Sequence, residues 1–356
     1  MKMKTAIYYG PKDIRCGEKE SPVITHEDDI RVKVLATSMC GSDLHLYRGA
    51  LDLIMEKGIS QTGHELCGEV LEIGSNVSKF KIGDRVTMGY SCSCGDCYMC
   101  DSGQTAHCET TGKAVYGFGV PFGNLNGTHT EEMILPHAEG HAMVIPDDIS
   151  DASALTLSCN MPSAVIANEL TDIQVGEKVA IIGAGTTGLM ALDIALTKTA
   201  AKNILVIDPV ENRRNIAFKK GVNVIDSNIE NFKEEALKVS GERGFDKIIE
   251  MVGFKESLQS ALDLIRAGGT IAALGVFTDQ EFNLVLGDVF LRDISLHMNG
   301  FANVQPYMKQ AMSCIQDGVV NPDEYFTHEF NLVNIDKAFE LFNDKNDNSL
   351  KILIKP

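Results

Sequence analysis

Four closely spaced cysteines are the clearest sign of chemistry in this sequence. Cys94, Cys97, Cys100 and Cys108 are separated by two, two and seven residues. Four thiolates on a short, glycine-containing segment can surround one zinc ion tetrahedrally, and a site filled entirely by protein ligands is structural. The alternatives are a zinc ribbon that binds nucleic acid, an iron–sulfur cluster and unconnected thiols. An iron–sulfur cluster usually shows a different spacing before its fourth cysteine, so the pattern favours zinc. We expect Cys92 to lie outside this site.

A glycine-rich segment indicates a second kind of chemistry, the binding of a dinucleotide. Gly183, Gly185 and Gly188 fit the pattern G-x-G-x-x-G, with Thr186 and Thr187 between them. The pattern is weak alone, but here it follows a predicted strand and opens a predicted helix. The glycines permit a tight turn, a close approach of the pyrophosphate and close packing of helix on sheet, while the helix N-terminus attracts the anion.

An acidic residue at the expected distance favours NAD as the dinucleotide. Asp208 lies 208 − 188 = 20 residues after Gly188, at the end of the next predicted strand. A carboxylate there binds the ribose hydroxyls and repels a 2′-phosphate. Arg213 and Arg214 follow closely, and a nearby arginine can accept that phosphate, so the strictness of the preference stays open. The alternative is an ordinary strand–helix connection with a surface aspartate.

The elements that must position these residues change in type along the chain. The first half contains short apolar or alternating runs, separated by Gly, Pro, Ser and Asp, which is typical of β-structure. From about Gly176, predicted strands alternate with helices, which favours a parallel, doubly wound sheet. One such helix carries Leu189, Leu192 and Leu196 on a single face. The predicted strands cover residues 30–35, 70–73, 85–88, 178–182, 204–208, 247–251, 270–274 and 351–354.

Length, charge and hydropathy exclude several classes of protein. A chain of 356 residues is too long for one ordinary core, so we expect two domains. With 32 basic and 49 acidic residues the formal net charge is −17, which argues against binding to a nucleic acid or a polyanionic membrane surface. There is no signal-peptide pattern at the N-terminus and no apolar run long enough for a membrane span, so we expect a cytoplasmic protein.

Two further motifs become informative beside the cysteine cluster and the glycine turn. Cys40 and Ser42 lie in Cys-Gly-Ser-Asp-Leu-His, which ends at His45, and His64 and Glu65 follow Gly63. Alone, these could be a buried thiol and a core histidine. Together with the other motifs, they resemble the zinc-containing medium-chain alcohol dehydrogenases over nearly the whole chain. By this resemblance, Cys40 and His64 match the first two catalytic zinc ligands. Glu65 matches a glutamate that ligates the metal in some members and stands beside it in others.

The resemblance extends to the remaining ligands of both expected zinc ions. The third catalytic ligand of the family is Cys, Asp or Glu, and Cys159 matches its position, 183 − 159 = 24 residues before the glycine turn. A buried thiol at the start of a helix is the alternative interpretation of Cys159. The four-cysteine cluster matches the structural zinc site of the family. Gly127 and Pro136 fit the stretch that precedes the second domain.

The resemblance implies an α/β protein of two domains. The expected domains are a β-rich, GroES-like catalytic domain at 1–158, completed by 297–356, and a Rossmann NAD-binding domain at 159–296. Two zinc ions per chain, one catalytic and one structural, and NAD are the implied cofactors. A homo-oligomer, dimeric or tetrameric, is implied as well.

The implied activity is hydride transfer between NAD and a small primary or secondary alcohol or its aldehyde or ketone. Ser42 matches the residue that takes the proton of the alcohol, and His45 matches the histidine that passes it towards solvent. A polar start of a helix is the alternative for this pair. Residues 160–162, Asn-Met-Pro, differ from the Glu-Pro-Leu typical of polyol dehydrogenases. A polyol or threonine-type dehydrogenase, and a retired member that binds zinc or senses redox state, remain alternatives.

Overall fold

The chain forms two compact units. The structure is a computed structural model that describes residues 1–279, 281–344 and 348–356. The first unit comprises Met1–Pro162 and Asn303–Pro356, and the second comprises Ser163–Ala302. Both boundaries between the units lie slightly later in the chain than the predicted domain limits. Those limits remain predictions.

The first unit is built mainly from strands. Its strands are β1 (Lys2–Gly10), β2 (Asp13–Glu20), β3 (Ile30–Ser38), β4 (Leu66–Ile73), β5 (Arg85–Met88), β6 (Glu132–Leu135), β7 (Ala142–Val144), β14 (Phe326–Asn331) and β15 (Lys351–Lys355). Its helices are α1 (Asp43–Tyr47), α2 (Tyr98–Asp101), α3 (Asp151–Thr156), α10 (Met308–Gln316) and α11 (Ile335–Asn343). Helix α4 (Asn160–Thr171) begins in this unit and ends in the second.

The main sheet of the first unit positions the candidate site. Its strand order is β14-β15-β3-β4-β5-β7, with β6 also paired to β3, while β1 and β2 form a separate hairpin. Alternating side chains of β3 enter a core that includes Ile30, Val32 and Val34, as the alternation predicts. Thr37 of β3 pairs with Leu66 of β4 in antiparallel register. The residues that follow β3 and those that precede β4 therefore lie at one end of the sheet.

The second unit alternates strands and helices. Its strands are β8 (Val179–Ile182), β9 (Ile204–Ile207), β10 (Asn223–Ile225), β11 (Phe245–Glu250), β12 (Ile265–Ala273) and β13 (Ser295–Met298). Its helices, after α4, are α5 (Thr186–Ala195), α6 (Glu211–Lys219), α7 (Phe232–Ser240), α8 (Lys255–Leu264) and α9 (Leu286–Leu291).

All strands of the second unit are parallel, in the order β10-β9-β8-β11-β12-β13. Every residue of β8 and β9 is buried, as expected for central strands covered on both faces. The chain order reverses between β8 and β11, and ligands of doubly wound sheets bind at the carboxyl ends of the strands beside such a reversal. The predicted fold class, α/β with a β-rich GroES-like domain and a Rossmann domain, is confirmed.

The helices are short throughout the described residues. The longest, α4, has 12 residues. No helix in the described part of the chain has both the length and the apolar character that crossing a bilayer requires.

Candidate active site and metal centres

One cluster of possible metal ligands forms where three segments of the first unit meet. Cys40 follows β3, His64 and Glu65 precede β4, and Cys159 lies between α3 and α4. One ligand atom from each of these four residues lies within 4.8 Å of the others. Ser158 helps to bring Cys159 there, because its Oγ accepts a hydrogen bond from the backbone N–H of Leu66 at 3.0 Å.

Cys40, His64 and Glu65 are buried and Cys159 is half-buried, and a hydrogen bond joins the two thiols. The Cys159 thiol donates to Cys40, and together with His64 this holds the pKa of Cys40 well below the ordinary thiol value despite burial. The same hydrogen bond and burial raise the pKa of Cys159. Oε1 of Glu65 is buried and has no hydrogen-bond partner among the described residues. Two sulfurs, an imidazole and a carboxylate around one point fit a zinc ion, which prefers such donors.

A buried lysine compensates the negative charge of the glutamate in this cluster. Lys351 of β15 and Glu65 are 1% and 0% exposed, and Nζ lies 2.6 Å from Oε2 of Glu65. Nζ also donates to the backbone carbonyl of Met39 at 3.3 Å, and the Ser38 hydroxyl donates to the same carboxylate oxygen. Burial nevertheless raises the pKa of Glu65 to about 7. Lys351, the first residue of β15, was not recognised from the sequence as part of the site.

Asp43 holds two of the candidate ligands in place. Its Oδ2 accepts a hydrogen bond from the backbone N–H of Cys40 at 2.8 Å, and its Oδ1 lies 3.4 Å from Nδ1 of His64. The side chain is completely buried although it is the first residue of α1. An aspartate beside a ring nitrogen fixes the orientation of an imidazole whose other nitrogen binds a metal.

The segment around Gly127 supports the loop that carries His64. A side chain at position 127 would lie 2.0 Å from the carbonyl oxygen of Thr62, so only glycine fits. The Thr128 hydroxyl accepts a hydrogen bond from the backbone N–H of Glu65 at 3.2 Å. The ring of His129 bridges the Thr62 hydroxyl at 3.0 Å and the Ser38 carbonyl at 3.2 Å. Neither Thr128 nor His129 was predicted as a site residue, because polar residues after a glycine read as an ordinary turn.

The predicted proton-transfer residues lie beside the cluster and near its rim. The hydroxyl oxygen of Ser42 is 3.3 Å from Nε2 of His64, and Ser42 is half-buried. His45 is also half-buried, on α1. Burial and the charge of Arg48 lower the pKa of His45, so its imidazole is neutral and able to accept a proton near neutral pH.

The four-cysteine segment forms a second, separate cluster. Its sulfur–sulfur distances are 3.6 Å for Cys97–Cys100 and Cys94–Cys108, 3.8 Å for Cys97–Cys108 and 3.9 Å for Cys94–Cys100. Zinc–sulfur bonds of about 2.3 Å in a tetrahedron would place sulfurs about 3.8 Å apart. These residues therefore fit one zinc with four protein ligands. The thiol of Cys92 instead lies 3.4 Å from the carbonyl of Pro136.

The glycine turn of the second unit has the geometry that a dinucleotide requires. Gly183 follows β8 with a φ of 95°, a conformation that favours glycine. A side chain at Gly188 would lie 1.9 Å from the carbonyl oxygen of Gly183. Gly185 precedes α5, and Thr186 and Thr187 form its first turn, so their backbone N–H groups lie at the helix N-terminus. This arrangement suits an anion.

Asp208 lies beside this turn and joins it to β9. Its Oδ2 accepts a hydrogen bond from the backbone N–H of Ala184 at 2.7 Å, and its Oδ1 accepts one from that of Val210 at 2.8 Å. Arg214 is held by the backbone carbonyl of Asp208 at 2.8 Å and by an ion pair with Asp226. Arg213 lies near the turn, with Nη1 4.0 Å from the position that a Cβ of Gly185 would occupy.

Comparison with known proteins identifies both halves of the chain. Residues 26–147 match the family described as "Alcohol dehydrogenase GroES-like domain", and residues 186–317 match "Zinc-binding dehydrogenase". An alcohol dehydrogenase of Cupriavidus necator is 30% identical over 99% of each chain. A sorbitol dehydrogenase of Bacillus subtilis is 28% identical over 99% of this chain and 97% of its own.

A solved structure is similar over the same extent. The alcohol dehydrogenase TADH from Thermus sp. ATN1 is 30% identical, with a TM-score of 0.91 over 99% of each chain. The family expected from the sequence is therefore confirmed. The chain is an oxidoreductase that belongs to the zinc-dependent medium-chain alcohol dehydrogenases.

Proposed function

We propose that this protein transfers a hydride between NAD and a small primary or secondary alcohol, or the corresponding aldehyde or ketone. The observation that carries the proposal is the buried cluster of Cys40, His64, Glu65 and Cys159 with the Ser42 hydroxyl 3.3 Å from His64. The two thiols and the imidazole can bind a metal, and the adjacent hydroxyl can accept a proton. The net charge of −17 favours a neutral, small substrate over a polyanion.

Two zinc ions per chain belong to the proposal. Cys40, His64 and Cys159 would hold the catalytic ion, with Glu65 as a fourth ligand or a neighbour. The four cysteines at positions 94, 97, 100 and 108 would hold the structural ion. When bound, the catalytic ion acts as a Lewis acid that polarises the substrate oxygen. The protein contributes the fixed positions of the ligands, through Asp43 for His64 and through Lys351 for Glu65.

Ser42 and His45 supply the proposed path for the proton of the alcohol. The Ser42 hydroxyl lies at the edge of the buried cluster, so it can accept that proton while it donates its own. The neutral imidazole of His45, one turn further along α1, can then pass the proton to solvent. When bound, the nicotinamide would supply the hydride acceptor, and the protein would only have to orient it.

Asp208→Ala tests the preference for NAD. We expect the KM for NAD to rise and activity with NADP to improve, because the carboxylate no longer binds the ribose hydroxyls or repels a 2′-phosphate. Each effect should be about tenfold, the size of one hydrogen bond to a charged group. Steady-state kinetics with both dinucleotides measures this, with Asp263→Ala, at an exposed position of α8, as the control. A wild-type protein that already prefers NADP would contradict the assignment and favour Arg213 as the determinant.

The central experiment measures NAD reduction by zinc-loaded protein with a panel of primary, secondary and polyhydric alcohols. We expect turnover with simple alcohols, and we expect Cys40→Ser to abolish it while NAD still binds, because the proposed cofactor site lies in the other unit. Cys16→Ser, which changes a half-buried thiol outside both clusters, is the matched control. Full activity of a zinc-free Cys40→Ser variant would refute the catalytic-zinc assignment.

A polyol or threonine-type substrate is the second candidate. The similarity to a sorbitol dehydrogenase over nearly the whole chain favours it. The sequence Asn160-Met161-Pro162 after Cys159 disfavours it, since polyol dehydrogenases typically have Glu-Pro-Leu there. The same substrate panel, extended to threonine and sorbitol, separates the two candidates by kcat/KM.

Association of identical chains is also part of the proposal. Strand β13 is the last in the order of the parallel sheet, so one row of its backbone groups faces outwards. Large apolar side chains, each more than half exposed, lie on and before this strand: Val285, Leu286, Phe290, Leu291 and Met298. Exposed apolar residues beside an open strand edge suit a two-fold contact, in which the same surface of a second copy covers them.

A further inference from the structure

A buried carboxylate in the second unit has no part in the chemistry described so far. Glu250, the last residue of β11, is completely buried. Its Oε1 accepts three hydrogen bonds, from the backbone N–H of Val252 at 2.8 Å, that of Gly253 at 2.9 Å and the hydroxyl of Ser257 at 2.7 Å. Its Oε2 is buried without a hydrogen-bond partner among the described residues. Burial raises the pKa of this carboxyl group, although its hydrogen-bond donors oppose the shift.

The loop that Glu250 holds is in tight contact with two other loops. A Cβ at Gly183, in the glycine turn after β8, would lie 2.7 Å from Cγ2 of Val252. A Cβ at Gly275, after β12, would lie 2.0 Å from the backbone nitrogen of Gly253. The loops that leave β8, β11 and β12 therefore pack against one another without spare room. The backbone of residues 251–253 is therefore confined by its neighbours as well as held by Glu250.

The position of this loop in the sheet indicates which half of a bound dinucleotide it would contact. The strand order reverses between β8 and β11, and a dinucleotide crosses such a sheet at the carboxyl ends of the strands beside the reversal. In the proposed function Asp208, after β9, takes the adenosine ribose. Since β9 and β11 lie on opposite sides of β8, the nicotinamide half would lie on the side of β11.

We propose that Glu250 is a positioning residue for the nicotinamide half of the cofactor. It fixes the backbone of residues 251–253, against which that half would lie. The inference rests on the proposed NAD-linked function. An apolar side chain at this position would leave the backbone N–H groups of Val252 and Gly253 without their acceptor, so the loop would move to find other partners.

The test compares the binding of NAD with that of ADP, which carries only the adenosine half. Isothermal titration calorimetry is performed on zinc-loaded wild type, Glu250→Ala and Glu250→Gln. Glu256→Gln, the same change at an exposed position of α8, is the control. We expect Glu250→Ala to weaken NAD binding about tenfold and ADP binding by less than about twofold. Glu250→Gln should stay within about threefold for NAD, because its amide oxygen can accept the same hydrogen bonds.

Kinetics provides a readout that a purely structural role would not move. The KM for NAD should rise with the dissociation constant in Glu250→Ala, while kcat at saturating NAD stays within about twofold of wild type. If Glu250→Ala does not unfold cooperatively, Glu250→Asp replaces it, because the shorter side chain withdraws the acceptor and keeps the charge. Equal losses for NAD and ADP, or unchanged NAD binding in both variants, would overturn the inference. Absence of NAD binding by wild type would refute the proposed function itself, before any variant is compared.

Discussion

Individual buried side chains in the first unit each connect two segments of the candidate site. Nε2 of His129 faces the carbonyl of Ser38, which can only accept, so Nε2 carries the proton and Nδ1 accepts from the Thr62 hydroxyl. Lys351 similarly connects the backbone at Met39 with Glu65. Replacing either residue would release two segments at once. The positions of the candidate ligands therefore depend on residues that would not themselves touch a metal or a substrate.

Ser42 and His45 should contribute unequally to turnover. Ser42→Ala removes the first proton acceptor, and we expect kcat to fall about a hundred- to ten-thousand-fold with zinc retained. His45→Ala removes only the second step, which water or buffer can replace, so its loss should be near or below the lower limit of that range. Steady-state kinetics at increasing buffer concentration measures the difference, because only the His45→Ala defect should be partly rescued. Equal, unrescued losses, or no loss at Ser42, would mean that the proton leaves by another path.

His141 should make the folded state sensitive to acid. Burial lowers the pKa of His141 to about 4, and the Tyr116 hydroxyl lies 2.8 Å from its Nε2. An unfolded histidine has a pKa of about 6.5, so between pH 6.5 and 4 the unfolded state binds more protons and stability falls as the pH falls. We expect a loss of up to about 3 kcal/mol from this group.

Chemical denaturation across this pH range, on wild type and His141→Gln, tests the contribution of His141. Glutamine can still form a hydrogen bond with the Tyr116 hydroxyl but does not titrate. The free energy of unfolding of the variant should therefore decrease less on acidification. Parallel pH profiles for the two proteins would contradict the assignment.

Among the elements, those with a strong periodic pattern were predictable from the sequence. The strand predicted at 85–88 has the same bounds as β5, and that predicted at 178–182 differs from β8 by one residue. The first is a short alternating run and the second a short apolar run, and each lies between glycine- or charge-rich turns. The cysteine spacing and the glycine turn were equally clear, because their geometry is local and follows from the order of residues along the chain.

Elements and contacts that depend on distant parts of the chain were not predictable in this way. Strand β13, Ser-Leu-His-Met, alternates weakly and its residues are not buried, so no core pattern marks it. Lys351 looks like a surface residue at the start of a strand, and its partner Glu65 is 286 residues away. The contact of Asp43 with His64 likewise results from the pairing of β3 with β4.

The four-cysteine segment should hold its zinc independently of the catalytic cluster. We expect two zinc ions per chain in wild type and one in Cys97→Ser, because a single lost thiolate removes one of four ligands. The melting temperature should fall by about 5 °C or more, since the metal organises this segment. Metal analysis and calorimetry measure both effects. Cys92→Ser, the neighbouring thiol outside the cluster, should keep both ions, and a loss of zinc there would contradict the assignment.

On the scale of the whole molecule, the exposed apolar surface before and on β13 should decide the oligomeric state. We expect Phe290→Asp to convert the wild-type oligomer into smaller species, because a charge would be buried in a contact that is otherwise apolar. Analytical ultracentrifugation at several concentrations measures this. Val175→Asp, another exposed apolar position, is the control. A monomeric wild type, or an unchanged mass for Phe290→Asp, would refute the proposed contact.

The division of the first unit into two stretches of chain has a consequence for its biosynthesis. Strand β3 pairs with β15, and Lys351 of β15 is buried against Glu65, yet the whole of residues 163–302 is translated between these partners. The second unit is one uninterrupted stretch, so it can fold as soon as it has emerged from the ribosome. The first unit must wait with part of its main sheet uncovered. A nascent chain would therefore contain all four candidate ligands of the cluster long before Lys351 is available to neutralise Glu65.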